Sequence, residues 1–236
     1  MYNLIITTNN QQLATNDPLH MANDIKSQKE ILAKLGITAL NPMQEEALLA
    51  IVSAPNTVLL SPTGTGKTVA FLLPTLRGLD VYSENVQLLI LVPSRELAIQ
   101  IEQVIREMGT GYKANAVYGG RPFSKDKVEL AHSPAILIGT PGRVADHLRR
   151  ETFSVENITT LVLDEFDKSL EVGFETEMRE IIEHLPRIEK RVLTSATQGV
   201  EIPKFAGVQN PLVIDYLDTK LSKLAIKKVL APHKDK

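Results

Sequence analysis

Lys67 and Thr68 close the run Ser61-Pro62-Thr63-Gly64-Thr65-Gly66-Lys67-Thr68, which follows the apolar stretch Thr57–Leu60 and precedes a helix-length segment. Glycines ahead of a Lys-Thr pair, set between strand and helix, wrap backbone N–H groups around a polyphosphate at a helix N-terminus. In such a loop the lysine reaches the outer phosphates and the threonine hydroxyl ligates Mg²⁺. The strict pattern asks for glycine where Ser61 stands, and a plain turn before a helix is the bland alternative. A second candidate is Leu161-Val162-Leu163-Asp164-Glu165-Phe166-Asp167, an apolar strand ending in acid. Here Asp164 could hold Mg²⁺ through water and Glu165 could take the proton from attacking water. A strand-end acid pair on its own reads better as a solvated turn, and it is Lys67 that favours the metal reading here. Leu193-Thr194-Ser195-Ala196-Thr197 brings hydroxyls to a third strand end, and alone that triplet reads as a helix cap.

Something must hold these strand ends together. Short β-rich apolar runs occur at Thr57–Leu60, Val86–Val92, Ala114–Tyr118, Ala135–Gly139, Leu161–Leu163, Arg191–Thr194 and Leu212–Ile214. Helix-length amphipathic stretches alternate with most of them, including Arg95–Met108, Gly142–Arg149 and Glu175–His184. Unbroken apolar strands alternating with helices predict an α/β fold, a mostly parallel sheet with helices on both faces. Ligands on such sheets sit at the carboxyl ends of the strands, where the candidates above lie. Ile25–Leu35 and Met43–Val52 read as two further helices, split by Gly36 and Pro42. The organisation expected is a polar arm over residues 1–24, one domain over 25–215, and a Lys-rich linker beginning over 216–236.

Composition sets bounds without naming a function. The 236 residues are 43% hydrophobic and 23% charged, ordinary for a soluble globular chain. Zero cysteines excludes disulfides and thiolate metal sites. No apolar run reaches the roughly 18 residues of a membrane span, and no secretory pattern opens the chain, so a cytoplasmic protein is expected; the chain of residues 1–236 is expected to be a monomer. A net charge of −2 means that any nucleic-acid site must be a local patch. The five histidines show no ligand spacing, and the basic stretch Lys220–Lys228 reads as a solvated helix face.

Taken in order, the motifs resemble those of DEAD-box RNA helicases: SPTGTGKT at 61–68, PSRELA at 93–98, TPGR at 140–143, DEFD at 164–167 and SAT at 195–197. GITALNPMQ at 36–44 is similar to that family's adenine-recognition motif, with Gln44 at the diagnostic glutamine, and Gly119-Gly120 and Gly173-Phe174 also match. The resemblance implies a RecA-like phosphate-loop NTPase fold over about residues 25 to 215, with ATP and Mg²⁺ as cofactors and RNA as partner. By position, Ser61, Pro62, Thr63, Gly64, Thr65, Gly66, Lys67 and Thr68 would hold phosphate, Thr68 and Asp164 the metal, and Gln44 adenine. Glu165 would act as base, with Lys67 and Asp164 completing the catalytic set. Pro93, Arg95, Gly119, Gly120, Thr140, Pro141, Gly142 and Arg143 would meet the RNA backbone without reading bases. Asp167, Ser195 and Thr197 would couple the two sites.

The pattern departs from the family at Phe166, where alanine is usual, and at Leu40 and Asn41, where proline and threonine are usual. Ser27 stands where the family places an aromatic that stacks on adenine, and no Phe, Tyr or Trp lies between Tyr2 and Phe71. Residues 1–236 contain no counterpart of the arginine motif carried by the family's second RecA-like domain, so an expression fragment of a longer protein is expected, one that binds nucleotide without unwinding RNA. A small-molecule kinase or other phosphate-loop enzyme, and a non-hydrolysing RNA-binding module, stay open as alternatives. The RNA or ribonucleoprotein target is not written in the sequence.

Overall fold

The computed structural model describes residues 27–197 and 201–218. Expectations for the arm at 1–24, for the first residues of a helix at Ile25, and for Lys220–Lys228 and most of the linker lie outside them.

Two short helices open the described chain. In α1 (Gln28–Lys34) Ser27 accepts from Glu30 N and Glu30 answers the cap, a reciprocal capping box. In α2 (Pro42–Ser53) Asn41 and Gln44 form the same device, with Pro42 as the first helical residue rather than part of the break. Then come β1 (Asn56–Leu60), α3 (Lys67–Arg77), β2 (Leu88–Leu91), α4 (Arg95–Met108), β3 (Ala114–Val117) and α5 (Phe123–Leu130). The chain continues through β4 (Ile136–Gly139), α6 (Pro141–Arg149), β5 (Thr160–Leu163), α7 (Phe166–Glu171), α8 (Glu175–Glu183), β6 (Lys190–Ser195) and β7 (Leu212–Asp215). The strands pair in the order β3-β4-β2-β5-β6-β1-β7, every pair parallel. The α/β parallel sheet expected from the sequence is therefore present. Its edge reaches one residue further than expected, because Tyr216 N still donates to Leu60 O at 2.8 Å.

The strands sort their side chains by the two-residue pleat. Leu88, Ile90, Ile136, Ile138, Val162 and Val192 enter one core, shared with Ile51, Phe71 and Ile101 of α2, α3 and α4. Leu89, Leu91, Leu137, Leu161, Leu163 and Leu193 enter the other, shared with Val144, Phe166, Met178 and Ile181 of α6, α7 and α8. Strands buried on both faces must be apolar throughout, which explains why their sequence shows runs rather than alternation. Phe166 is one of the buried residues of the second core, so the bulky ring in the acidic box is absorbed by packing. Gly139 ends β4 where α6 turns back on the sheet: a Cβ there would meet Val117 O at 2.7 Å and Val144 Cγ2 at 2.6 Å.

Candidate functional site

The sheet order divides the expected residues into two sets. The carboxyl ends of β5, β6 and β1, adjacent in the sheet, carry the acidic box, the SAT triplet and the phosphate loop. The ends of β3, β4 and β2, also adjacent, carry Gly119-Gly120, TPGR and PSRELA.

In the first set the loop crosses from β1 to α3. Gly64 and Gly66 have φ of +83° and +89°, the left-handed region that favours glycine. Ser61, where a strict pattern wants glycine, is buried, and its Oγ lies 2.8 Å from Thr65 Oγ1, which in turn donates to Pro62 O at 2.8 Å. The hydroxyls close the loop on itself. From outside, Asn41 Nδ2 donates to Thr65 O at 3.1 Å and Gln44 Nε2 to Gly66 O at 3.2 Å. Asn41, a departure from the family pattern, thus caps α2 and pins the loop at once. Gln44 Oε1 accepts from Asn41 N at 3.0 Å. An amide has two donors and two acceptor lone pairs, so these two bonds leave Gln44 one of each.

Lys67 is buried at 7% exposure, and its Nζ donates to Ser61 O at 2.5 Å and Pro62 O at 3.3 Å. Burial lowers its pKa, while Asp164, Glu165 and Asp167 pull it back up, so all three carboxylates act on this ammonium. Asp164 follows β5 and is 3% exposed. Burial lifts its carboxyl to about 6 against the opposing hydrogen bond from Thr194 and charge of Lys67. The Thr194 hydroxyl donates to Asp164 Oδ1 and accepts from Glu165 N, the latter at 3.0 Å. Thr194 was not singled out by its motif. The available signal was its register beside β5, one residue ahead of SAT, with Leu193 opposite Leu163. Glu165 sits at φ +49° as the N-cap of α7, and its Oε2 pairs with Lys168 Nζ at 3.1 Å. A non-glycine residue held there stores about 1–3 kcal/mol of strain, a condition that clusters at functional sites. Thr197 Oγ1 donates to Asp167 Oδ2 at 2.7 Å. Ser195 Oγ stays within its own turn, accepting from Thr197 N at 3.0 Å.

Gly64, Gly66, Lys67, Thr68, Asp164 and Glu165 line one cavity of about 330 Å³, whose remaining wall includes Leu97, Gln100 and Val104 of α4. A buried carboxylate whose charged form is disfavoured, beside an ammonium and a glycine loop at a helix N-terminus, suits a divalent cation and a polyphosphate together. Ser27, at the position of the family's aromatic, is the cap of α1 and offers no ring.

In the second set Ser94 caps α4, accepting from Leu97 N at 3.2 Å, which places Pro93 and Arg95 at the helix mouth. Arg95 is exposed, paired with Glu96 at 2.6 Å, and lies beside Gly120, whose Cβ would be 3.8 Å from Arg95 Nη1. Thr140 caps α6 without a side-chain bond, with Pro141, Gly142 and Arg143 as its first turn. Arg143 departs from a free surface arginine: its Nε and Nη2 are each 2.7 Å from Asp126 Oδ2, and its side chain is 12% exposed. Asp126 was not singled out in the sequence.

A family model described as DEAD/DEAH box helicase matches residues 41–205. The chain is 37% identical over 180 residues to a protein named ATP-dependent RNA helicase CshA from Limosilactobacillus reuteri, covering 75% of this chain and 36% of that protein. It is 35% identical over 202 residues to ATP-dependent RNA helicase DbpA of Bacillus subtilis, covering 84% and 42% respectively. The chain therefore spans roughly two fifths of the length of these relatives or less. Among solved structures, that of a hypothetical ATP-dependent RNA helicase from Sulfolobus tokodaii superposes with a TM-score of 0.71 at 25% identity, over 80% of this chain and 57% of that one. With a RecA-like parallel sheet, a phosphate loop and an acidic strand end around one cavity, and a family match that runs from Asn41 through Phe205, the chain belongs to the DEAD/DEAH box helicase family.

Proposed function

We propose that this chain is the ATP-binding domain of an RNA helicase that hydrolyses ATP to remodel RNA duplexes or RNA–protein complexes. The observation that carries the reading is the single cavity shared by Lys67, Thr68, Asp164 and Glu165. Ser61 through Thr68 hold the phosphates and Gln44 reads adenine with its spare donor and acceptor. Thr68 and Asp164 hold Mg²⁺, which when bound neutralises charge on the phosphate oxygens. Glu165 accepts the proton of the attacking water. Pro93, Arg95, Gly119, Gly120 and Thr140 through Arg143 meet the RNA backbone with two helix mouths, two arginines and the N–H groups of Gly119-Gly120, and Asp167, Ser195 and Thr197 link the two halves. In this proposal the domain spans 25–215, the protein is cytoplasmic, and the chain is monomeric.

Enzymes of this type complete the γ-phosphate shell with an arginine from outside the loop, which contributes about 10³–10⁵ in rate. Residues 1–236 hold no matching arginine motif, so we assign that group to a second RecA-like domain. Calorimetric titration of residues 1–236 should show ADP·Mg²⁺ binding, while hydrolysis stays slow, RNA stimulation stays small and no duplex is unwound. The full-length protein should hydrolyse ATP when RNA is added. Brisk RNA-stimulated turnover by residues 1–236 alone would sink the second-domain assignment, and failure of either form to bind nucleotide would sink the whole reading.

A further inference from the structure

Asp126 lies on α5, outside the nucleotide cavity, and is fully buried. A carboxylate in the interior is tolerated only when cations and hydrogen bonds surround it. Around Asp126 they come from two segments. Arg143, in the first turn of α6, gives Oδ2 both Nε and Nη2 at 2.7 Å, and His147, one turn further along, gives Nε2 at 3.1 Å. Arg121, the residue that follows Gly119-Gly120, faces Oδ1 with its Nε at 2.6 Å, a close charge contact outside hydrogen-bond alignment. His147 has no exposed surface; its ring stacks on Phe123 with centroids 4.4 Å apart, and Nδ1 lies 2.8 Å from Thr152 Oγ1. Burial pushes its pKa below the usual range, and because the Asp126 carboxylate can only accept, Nε2 is the nitrogen that donates to it.

The same side chains are laced to the backbone. Arg143 Nη2 donates to Arg121 O at 3.1 Å and Arg121 Nη1 to Ala116 O at 3.4 Å, and the backbone adds Thr140 N to Val117 O at 3.2 Å. Arg121 also pairs with Glu129 at 2.7 Å. These links tie the end of β3 and the turn after it to each other, to α5 or to the mouth of α6. Among the described residues Arg143 Nη1 has no hydrogen bond, and its nearest carboxylate, Asp146, is 3.8 Å away.

We propose that Asp126 is a positioning residue for RNA: one buried carboxylate fixes the spacing between the Gly119-Gly120 turn and the first turn of α6, and occupies Nε and Nη2 of Arg143 so that Nη1 is the donor presented to a phosphate oxygen. The inference rests on the proposed RNA reading of these two segments. Sites built from backbone N–H groups and one fixed guanidinium lose their grip when misplaced by more than about 0.5 Å, and a carboxylate held by two arginines and a histidine leaves little play. Structural filling alone does not account for the arrangement, because well-packed apolar side chains would stabilise the same junction at least as well.

The test compares wild type, Asp126→Asn, Arg121→Lys and the double variant of the full-length protein, using poly(U) RNA as the probe in ATP hydrolysis. Asp126→Asn keeps the shape but removes the charge; Arg121→Lys keeps the charge but cannot bridge Asp126 and Ala116 O. Each is expected to raise the RNA concentration for half-maximal rate about tenfold, the scale of one charge-assisted hydrogen bond. The maximal rate at saturating RNA and the ADP·Mg²⁺ affinity should stay at wild-type values. The slope of log affinity against log salt should fall by about 0.7, as for one lost contact to single-stranded RNA. The double variant should shift by less than the product of the single shifts, because both act on one link. A folded Asp126→Asn protein with wild-type half-saturation, or with lowered maximal rate and unchanged half-saturation, overturns the proposal. If Asp126→Asn loses ADP binding through misfolding, the same two outcomes in Arg121→Lys decide it. Wild-type protein indifferent to RNA would instead fail the functional reading itself, and this inference with it.

Discussion

Replacing Asp164 by asparagine is expected to stabilise the protein in the absence of ligand while abolishing its response to Mg²⁺-nucleotide. Asp164 is 3% exposed, and burial lifts its carboxyl from an ordinary 3.8 to about 6. Well below pH 4 the folded and unfolded chains both hold the proton and the group contributes nothing. Between about pH 4 and 6 the unfolded chain releases its proton first, so the folded state loses ground as pH rises. Above about pH 6 the penalty is complete: about two pKa units at 1.36 kcal/mol each, or about 3 kcal/mol. Asparagine carries no such penalty, and its Oδ1 can still accept from Thr194. At pH 8 the variant should therefore be more stable by up to about 3 kcal/mol, a rise of about 6–12 °C in Tm for a chain of this size. At pH 4.5 the same linkage leaves an advantage of about 1 kcal/mol. Thermal or urea unfolding in EDTA at the two pH values measures both numbers, and a repeat with ADP and Mg²⁺ should stabilise wild type but not the variant. An advantage identical at pH 4.5 and pH 8, or none at pH 8, would refute the account of a carboxylate charged against its surroundings.

Lys67→Ala should lose ADP·Mg²⁺ binding by calorimetry while far-UV circular dichroism stays native, since the ammonium's partners are loop carbonyls rather than core side chains; unchanged affinity would mean that the loop does not hold phosphate. Glu165→Gln in the full-length protein should keep ATP affinity and lose about 10²–10⁴ in RNA-stimulated turnover, the usual scale for a general base; near-wild-type turnover would remove Glu165 from that role. Wild type should prefer ATP to GTP and Gln44→Ala should lose the preference, together with some affinity for both, because the same side chain pins Gly66 O. Equal binding of the two nucleotides by wild type would end the adenine assignment.

The sheet and the positions of the motifs were legible because both rest on local signals: apolar runs buried on two faces, and glycines where a loop must meet a helix mouth. The boundaries moved by a residue or two, as at β2, expected over Val86–Val92 and found over Leu88–Leu91. Among the helices not singled out were α5 and α7, short pieces with only two and three buried residues respectively, too little for a periodic stripe. The side-chain pairings were hidden for a different reason. Asp126 sits between lysines in a polar stretch and reads as a surface acid, and only the fold brings Arg143, seventeen residues on, against it. Thr194 and Asn41 likewise do their bonding through tertiary register, the one beside β5 and the other beneath the phosphate loop. Lys67 was legible as the lysine of a loop between strand and helix but not as a buried one, because the carbonyls that surround it belong to its own loop.

The helix α4 touches both halves of the sheet edge. Arg95 stands at its mouth beside Gly120, while Leu97, Gln100 and Val104 wall the nucleotide cavity. Fourteen residues at 1.5 Å each make a rod about 21 Å long, held by its own backbone bonds and too stiff to move at one end alone. Four buried residues, Ala98, Ile101, Ile105 and Met108, already fasten it to the sheet, so neither ligand has to bring it to rest. What the rod fixes is distance: its mouth beside Gly120 and its face on the nucleotide cavity keep one spacing. On the proposed reading, RNA and nucleotide are thus held at a separation set by one rigid helix common to two sites, and glycine in its middle would loosen that separation while leaving the residues of each site in place.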